Sequence, residues 1–457
     1  MKGKACLLSI VMVLLCVCFV VMPEALAANA KFDLNNLSDM SDYDPNNPIV
    51  PTGDVIKIAL VASFSGPAAS AGESYYAAAA WAVHDINKRG GITVDGKKKK
   101  IHLIKANHES KPDITKKVCE RMILQEKVDI LMGTNGSNNM RVINQVAEKY
   151  KVIAMNFIAL SDELMDAANF SRYAFMACFS TGQIGRAAAY HYGQLRKKET
   201  KFYVLCQDYL FGHSLAKGFI EGLKEYYPGA KIVGEDYHKL FLTDFAPYLT
   251  KIKASGAEAI YTGDWNPDAM NLLKQARQMG IKLPIIHLFI EDPDALKEVG
   301  VEGSSGLMKV AQLAQPSSAL KNVLYVKFLN AWNKQWKTWK KPYDALIYKW
   351  PVGANVGMTA QATYWLLSVI ERAGSTDPEK MIKVWEDDSY EMANGQVIRM
   401  RACDHKAYQD LAIVEYVPPK EQSYPWYTEC AFDGPVSFVP ADKVMPWMDP
   451  LSERCKK

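Results

Sequence analysis

Two short loops in this 457-residue chain carry residue types that could grip an anionic solute. One is Gly133-Thr134-Asn135-Gly136-Ser137-Asn138-Asn139, which follows an apolar run at 128–132 and precedes a stretch of helical periodicity at 140–150. Its small residues let backbone N–H groups approach a ligand, Asn135, Ser137 and Asn138 add side-chain donors, and the N-terminus of the following helix favours a carboxylate. The same residues would also serve as nothing more than a helix cap, so both readings stay open. The other loop, Ser63-Phe64-Ser65-Gly66-Pro67, ends the β-branched run at 55–61. Open α/β sheets place their ligands at such strand ends.

Catalytic constellations are not evident. There is no Gly-x-Ser-x-Gly elbow, phosphate loop, His-Glu-x-x-His or Cys-x-x-Cys. His84, His102, His108, His191, His213, His238, His287 and His405 are scattered, with no pair at metal-ligand spacing. The acidic pairs Glu291-Asp292 and Asp387-Asp388 fall in loops, where solvation explains them. The reading is a binding protein without metal or cofactor rather than an enzyme; a triad assembled from distant residues is the alternative. A net charge of +4 gives no hint of a nucleic-acid partner.

These loops need elements to hold them, and the elements begin after an export signal. Lys2 and Lys4, an apolar run at 5–22, Pro23 and Ala25-Leu26-Ala27 read as a signal peptide (1–27) cleaved near Ala27, which sends the chain to the periplasm. An uncleaved anchor is the alternative. Residues 28–53, rich in Asn, Asp, Ser and Pro, read as a disordered leader. Cleavage leaves Cys119, Cys178, Cys206, Cys403, Cys430 and Cys455; a Cys403–Cys430 pair would flank a strand-turn-strand segment, and free thiols fit as well.

From residue 54 onward, strands alternate with helices. Strands are expected at 55–61, 101–105, 128–132 and 152–157, then at 201–206, 231–237, 259–262, 283–287 and 307–312, with helices between. Two α/β domains with parallel sheets follow from that order and from the length. Long helices are expected at 320–340 and 357–373. The stripe Trp332, Trp336, Trp339 suits packing within its own domain, or a docking surface, and Lys97 to Lys100 after Asp95-Gly96 reads as a solvated hairpin.

The order of motifs resembles the branched-chain amino-acid-binding (leucine-binding) type of periplasmic solute-binding protein, the receptor component of ABC transporters. Ile56-Lys57-Ile58-Ala59-Leu60 through Ser65-Gly66-Pro67, with Gly72-Glu73 and the run from Ala82 to Ile92, is similar to the family's opening strand, loop and helix. Val146-Ala147-Glu148-Lys149-Tyr150-Lys151-Val152 matches a helix-to-strand passage. Thr243-Asp244-Phe245, Lys251-Ile252-Lys253 and Lys274-Gln275-Ala276-Arg277 resemble the second domain.

The resemblance implies a two-lobed periplasmic-binding-protein fold, each lobe a parallel sheet flanked by helices, with a three-crossover hinge near Ala177, Ser305 and Met392. The lobes would be 54–176 plus 307–392 and 177–306 plus 393–457. It also implies a monomer that captures a small amino acid, or a related carboxylate or amide, and passes it to membrane permease subunits. A sensor presenting ligand to a signalling partner shares the fold. Carried over by position, Asn135, Ser137 and Asn138 hold the ligand carboxylate, and Ala159 and Ser161 sit in the next small-residue loop. Ser65 falls in the first loop, Phe211 and Trp265 beside Asp264 close over the ligand, and Glu291 meets an ammonium. Leu160 stands where amino-acid binders place a threonine, Ala71 where they place an aromatic, and Phe211 and Trp265 replace tyrosines. The implied pocket is more apolar, which raises aromatic or aliphatic carboxylates, or amides, as ligands.

Overall fold

The computed structural model describes residues 37–313, 323–445 and 455. The expected signal peptide, 1–27, and the first part of the leader lie outside the described residues.

β1 (Ile56–Ala62) is buried almost throughout, as a parallel strand covered on both faces must be. α1 (Ala69–Lys88) follows, packing Trp81, Ile86 and a run of alanines inward. β2 (Ile92–Val94) and β3 (Lys97–Lys99) form the hairpin, turning at Asp95 and Gly96, both at positive φ. β4 (Ile101–Asn107), α2 (Pro112–Leu124), β5 (Ile130–Gly133), α3 (Ser137–Tyr150), β6 (Ile153–Asn156) and β7 (Ala174–Met176) complete a five-stranded sheet. Its order is β4-β1-β5-β6-β7, every pair parallel.

A second series builds another parallel sheet. It comprises α4 (Thr181–Tyr190), β8 (Lys201–Gln207), α5 (Leu210–Tyr226), β9 (Lys231–His238), α6 (Ala246–Ser255), β10 (Ala259–Tyr261), α7 (Asp268–Gln278), β11 (Ile285–His287), α8 (Pro293–Ser304) and β12 (Met308–Ala311). α9 (Val323–Trp336), α10 (Thr359–Ala373) and α11 (Pro378–Trp385) come next. α10 packs on α1, where the Tyr364 hydroxyl donates to buried Asp85 at 2.9 Å. β13 (Ser389–Glu391), β14 (Val397–Met400) and β15 (Ala407–Tyr408) make a small antiparallel sheet, bonded to β7 where Met176 N donates to His405 O at 2.9 Å. β16 (Leu411–Val417) and β17 (Phe432–Val439) then join the second sheet antiparallel, giving β17-β16-β12-β11-β10-β8-β9.

The chain thus passes between the two sheets after β7, after β12 and after β15. The crossings expected near Ser305 and Met392 lie further along. β12 is a wholly buried strand paired with β11 and β16, so 307–313 stays with the second sheet, and β13 to β15 stay at the edge of β7. Gln312 ties the passages together: its Oε1 accepts from Phe179 N at 3.1 Å, and its Nε2 donates to Gln409 Oε1 at 3.3 Å and Ala177 O at 3.5 Å. Gln409 Nε2 in turn donates to Gln312 O.

Two further expectations, the leader and the disulfide, meet the structure differently, while two rings of the tryptophan stripe pack inward as the first of its two readings has it. The leader is not unpacked from residue 37 on: Met40 and Tyr43 are buried, the Tyr43 hydroxyl donates to Ala77 O at 2.6 Å, and Trp339 Nε1 donates to Tyr43 O at 3.2 Å. Tryptophan edges and apolar contact, not local propensity, hold this segment down. The Trp332 and Trp339 rings are buried core, with Trp332 Nε1 donating to Tyr348 O at 2.8 Å. The disulfide joins Cys403 to Cys455, with 5.0 Å between the Cα atoms, and Cys430 is a buried free thiol. Cys403 follows β14 in the small sheet whereas Cys430 leads into β17 of the second, so the two do not flank one strand pair.

Gln312→Leu should cost about 1–3 kcal/mol, because it leaves the buried Phe179 N–H and the Gln409 Oε1 without their partners. Urea unfolding measures this; a loss under about 0.5 kcal/mol would show that these bonds do not hold the crossover together.

Candidate functional site

Loops at the carboxyl ends of both sheets face a common cleft. On the first side, α3 opens from Gly136 at φ 83°, a conformation glycine adopts without a Cβ clash. No side chain caps the α3 N-terminus, so capping does not account for Asn135 and Ser137, which line the cleft. Asn135 Oδ1 instead accepts from Ser63 N at 3.2 Å, tying the loop to the end of β1. Ser137 Oγ accepts from Ser161 N at 3.4 Å. Beyond β6, Asn156 Oδ1 accepts from Ile158 N at 3.1 Å and Ala159 N at 2.8 Å. Those backbone donors are spent internally, and Ile158, Ala159 and Leu160 give the cleft an apolar floor.

The rest of the lining is dominated by rings. Tyr75 stands edge-on to Phe157 at 5.1 Å, Phe211 lies 6.3 Å from Phe289, and Trp265 Nε1 donates to the Tyr209 hydroxyl at 2.9 Å. Burial pushes the Tyr75 and Tyr209 phenols well above their ordinary range, so both stay neutral. Among the described residues lining the cleft, none is charged.

Of the residues expected from sequence, Asn135, Ser137, Ala159, Phe211 and Trp265 line the cleft. Asn138 borders an adjoining hollow with Tyr209 and Trp265. Ser161 is buried beneath, and its Oγ finds no hydrogen-bond partner among the described residues. Ser65 lies outside, its Oγ accepting from Asn107 Nδ2 at 2.9 Å. Asp264 is buried behind Trp265, 2.8 Å from His238 Nε2. Glu291 does not line the cleft: its carboxylate lies 3.3 Å from the buried Lys309 ammonium, which also donates to Asp433 at 2.8 Å. Burial alone would lower the Lys309 pKa, but Asp433 and Glu291 outweigh it and raise it, so Lys309 stays charged. Glu291 also abuts Gly353, where a Cβ would collide with the carboxylate.

Tyr75, Tyr209, Asn266, Phe289, Ile347 and Asn355 were not singled out from sequence, yet line the cleft. Tyr209 and Phe289 follow strands, a signal that could have found them. Ile347 and Asn355 come from the segment between α9 and α10 and carry no local sign.

A family model described as periplasmic binding protein matches residues 55–422. A Leu/Ile/Val-binding protein homolog of Brucella abortus is 24% identical over 255 residues, covering 54% of this chain and 60% of that relative. The chain therefore spans well under two thirds of the length of the curated relative. A leucine-, isoleucine-, valine-, threonine- and alanine-binding protein from Brucella ovis in a closed conformation superposes with TM-score 0.71 at 20% identity, covering 88% of this chain and 99% of the other. A solute-binding protein of an ABC transporter from Rhodopseudomonas palustris, in complex with 3,4-dihydroxybenzoic acid, gives TM-score 0.70 at 20% identity, covering 85% and 98%. At these identities the two structures show the same two-lobed fold.

Asp264 and Asp268 bracket the cleft residues Trp265 and Asn266, and both are fully buried. Asp268 Oδ2 accepts from Gln207 Nε2 at 2.7 Å and Phe241 N at 2.9 Å. Burial pushes the Asp268 carboxyl up to about 6, and the Asp264 charge adds to that. The folded state then holds a proton that the unfolded state has released between about pH 4 and pH 6, so this group favours folding at low pH and loses that contribution as pH rises through 6. Asp268→Asn keeps an acceptor for both donors and removes the titration. It should gain about 2 kcal/mol relative to the parent between about pH 4.5 and pH 7.5. Unfolding at the two pH values checks this, and an equal difference at both would contradict it.

Proposed function

The chain belongs to the periplasmic binding protein family, and from that premise we propose that it is an extracytoplasmic receptor. It captures a small organic acid or amide between two closing lobes and delivers it to the permease subunits of an ABC importer. In this role it binds and releases its cargo unchanged. Among the described residues no helix is long and apolar enough to cross a membrane.

The observation that carries the choice of cargo is a cleft lined by five aromatic rings, with no charged side chain among its described residues and the N-termini of α1, α3 and α5 at its edge. The N-terminus of α3 and the Ser137 hydroxyl suit a carboxylate, by the helix dipole and unpaired N–H groups. The rings of Tyr75, Tyr209, Phe211, Trp265 and Phe289 suit an apolar or aromatic body. An α-ammonium would need a desolvated partner, and Glu291 is engaged with Lys309. This favours aromatic acids over branched-chain amino acids, although the Brucella abortus relative is named for binding the latter. The Rhodopseudomonas palustris structure bound to 3,4-dihydroxybenzoic acid supports an aromatic acid on this scaffold. First-lobe contacts form in the open state, and Phe211, Trp265 and Phe289 add contacts on closure.

Isothermal titration with benzoate and leucine tests the reading. Benzoate should bind at least tenfold tighter, and Ser137→Ala should weaken it by about tenfold to a hundredfold, the loss of a hydrogen bond to a charged group. Tighter binding of leucine, or unchanged affinity in Ser137→Ala, would overturn it.

A further inference from the structure

We propose that Asn266 determines specificity in the cleft by accepting a hydrogen bond from a hydroxyl or N–H carried on the ring of an aromatic acid; this rests on the reading of the cleft given above. Asn266 lies on the wall contributed by the second lobe, next to Trp265. Its Oδ1 is buried and has no hydrogen-bond partner among the described residues. A buried acceptor left unpaired is costly, and among the described residues lining the cleft Asn266 is the one with a buried side-chain polar atom in that state, so it marks where a ligand donor belongs.

Nearby donors are already committed. Trp265 Nε1 donates to the Tyr209 hydroxyl at 2.9 Å, Gln207 Nε2 to Asp268 at 2.7 Å, and Asn271 Nδ2 to Leu242 O at 3.1 Å. The next residue, Pro267, has no N–H to offer. The backbone carrying Asn266 is held on both sides, by Asp264 against His238 at 2.8 Å and by Asp268 accepting from Phe241 N at 2.9 Å. The amide is therefore placed before the ligand arrives, which lowers the ordering cost of recognition.

Polar groups on the cleft wall come from both lobes. Ser137 and the α3 N-terminus lie on the first lobe and Asn266 on the second. A ligand with a carboxylate at one end and a donor at the other spans both, and the Asn266 bond forms only when the lobes meet. A ligand lacking the donor leaves the acceptor buried and unpaired on closure, so the cleft discriminates against it more sharply than its size alone would dictate.

The test compares the 2-, 3- and 4-hydroxybenzoates with the methylbenzoates of matching position, which keep the shape and lack the donor. For at least one position the parent protein should favour the hydroxyl compound by about tenfold to a hundredfold. In Asn266→Leu that ratio should fall to about one, with methylbenzoate affinity retained or increased. No preference at any position in the parent, a readout that needs no variant, would overturn the role of Asn266, as would a ratio that survives in Asn266→Leu. If no benzoate binds at all while leucine does, the aromatic-acid reading itself fails and takes this inference with it.

Discussion

Two sheets can enclose a ligand only if the chain segments joining them hold a fixed line about which they move, and here that line is knotted by Gln312. Its side chain bonds the passage that follows β7 through Phe179 N and Ala177 O, and the passage that follows β15 through Gln409. Both glutamines are buried, where a missing partner is expensive, so the three segments are constrained to one arrangement. With that arrangement set, the carboxyl ends of β5 and β6 meet those of β8, β10 and β11, and the cleft follows.

Gln312 closes the same passage through β12 that carries Lys309. The buried Lys309 ammonium draws the carboxylates of Asp433 and Glu291 to itself. A buried cation stripped of such partners would cost several kcal/mol, so the acids are not spare. Glu291 is thereby withdrawn from the cleft, leaving walls of rings and neutral amides. In that setting the partial positive charges at the N-termini of α1, α3 and α5, whose first-turn or cap residues line the cleft, favour an anion. The chemistry proposed for the cargo follows from this division of charge: an acid at one end, an apolar body, and no amine.

What could be read from sequence was what is local. The loop at Asn135 to Ser137 was visible because strand, small-residue turn and helix stand next to one another, whereas Phe211 and Trp265 came only from the family resemblance, carried over by position. Glu291 was legible as an acid after β11 but not as a partner of Lys309, since that pairing exists only once β12 lies beside β11. The same reasoning accounts for Tyr43, whose burial depends on Trp81 and Trp339. It also accounts for Cys403, whose partner Cys455 lies far along the chain. Asn266 carries no sequence signal: an asparagine before a proline reads as a turn, and only its unpaired Oδ1 on the cleft wall sets it apart.

On the reading proposed above, the cleft takes an acid or amide with an apolar or aromatic body and without an α-amino group. Mass spectrometry of the small molecule released on denaturing the protein purified from its native source tests it most directly. An aromatic acid or its amide, carrying a hydroxyl or N–H on the ring, is the expected product. Recovery of leucine, isoleucine or valine in amounts equal to the protein would contradict it.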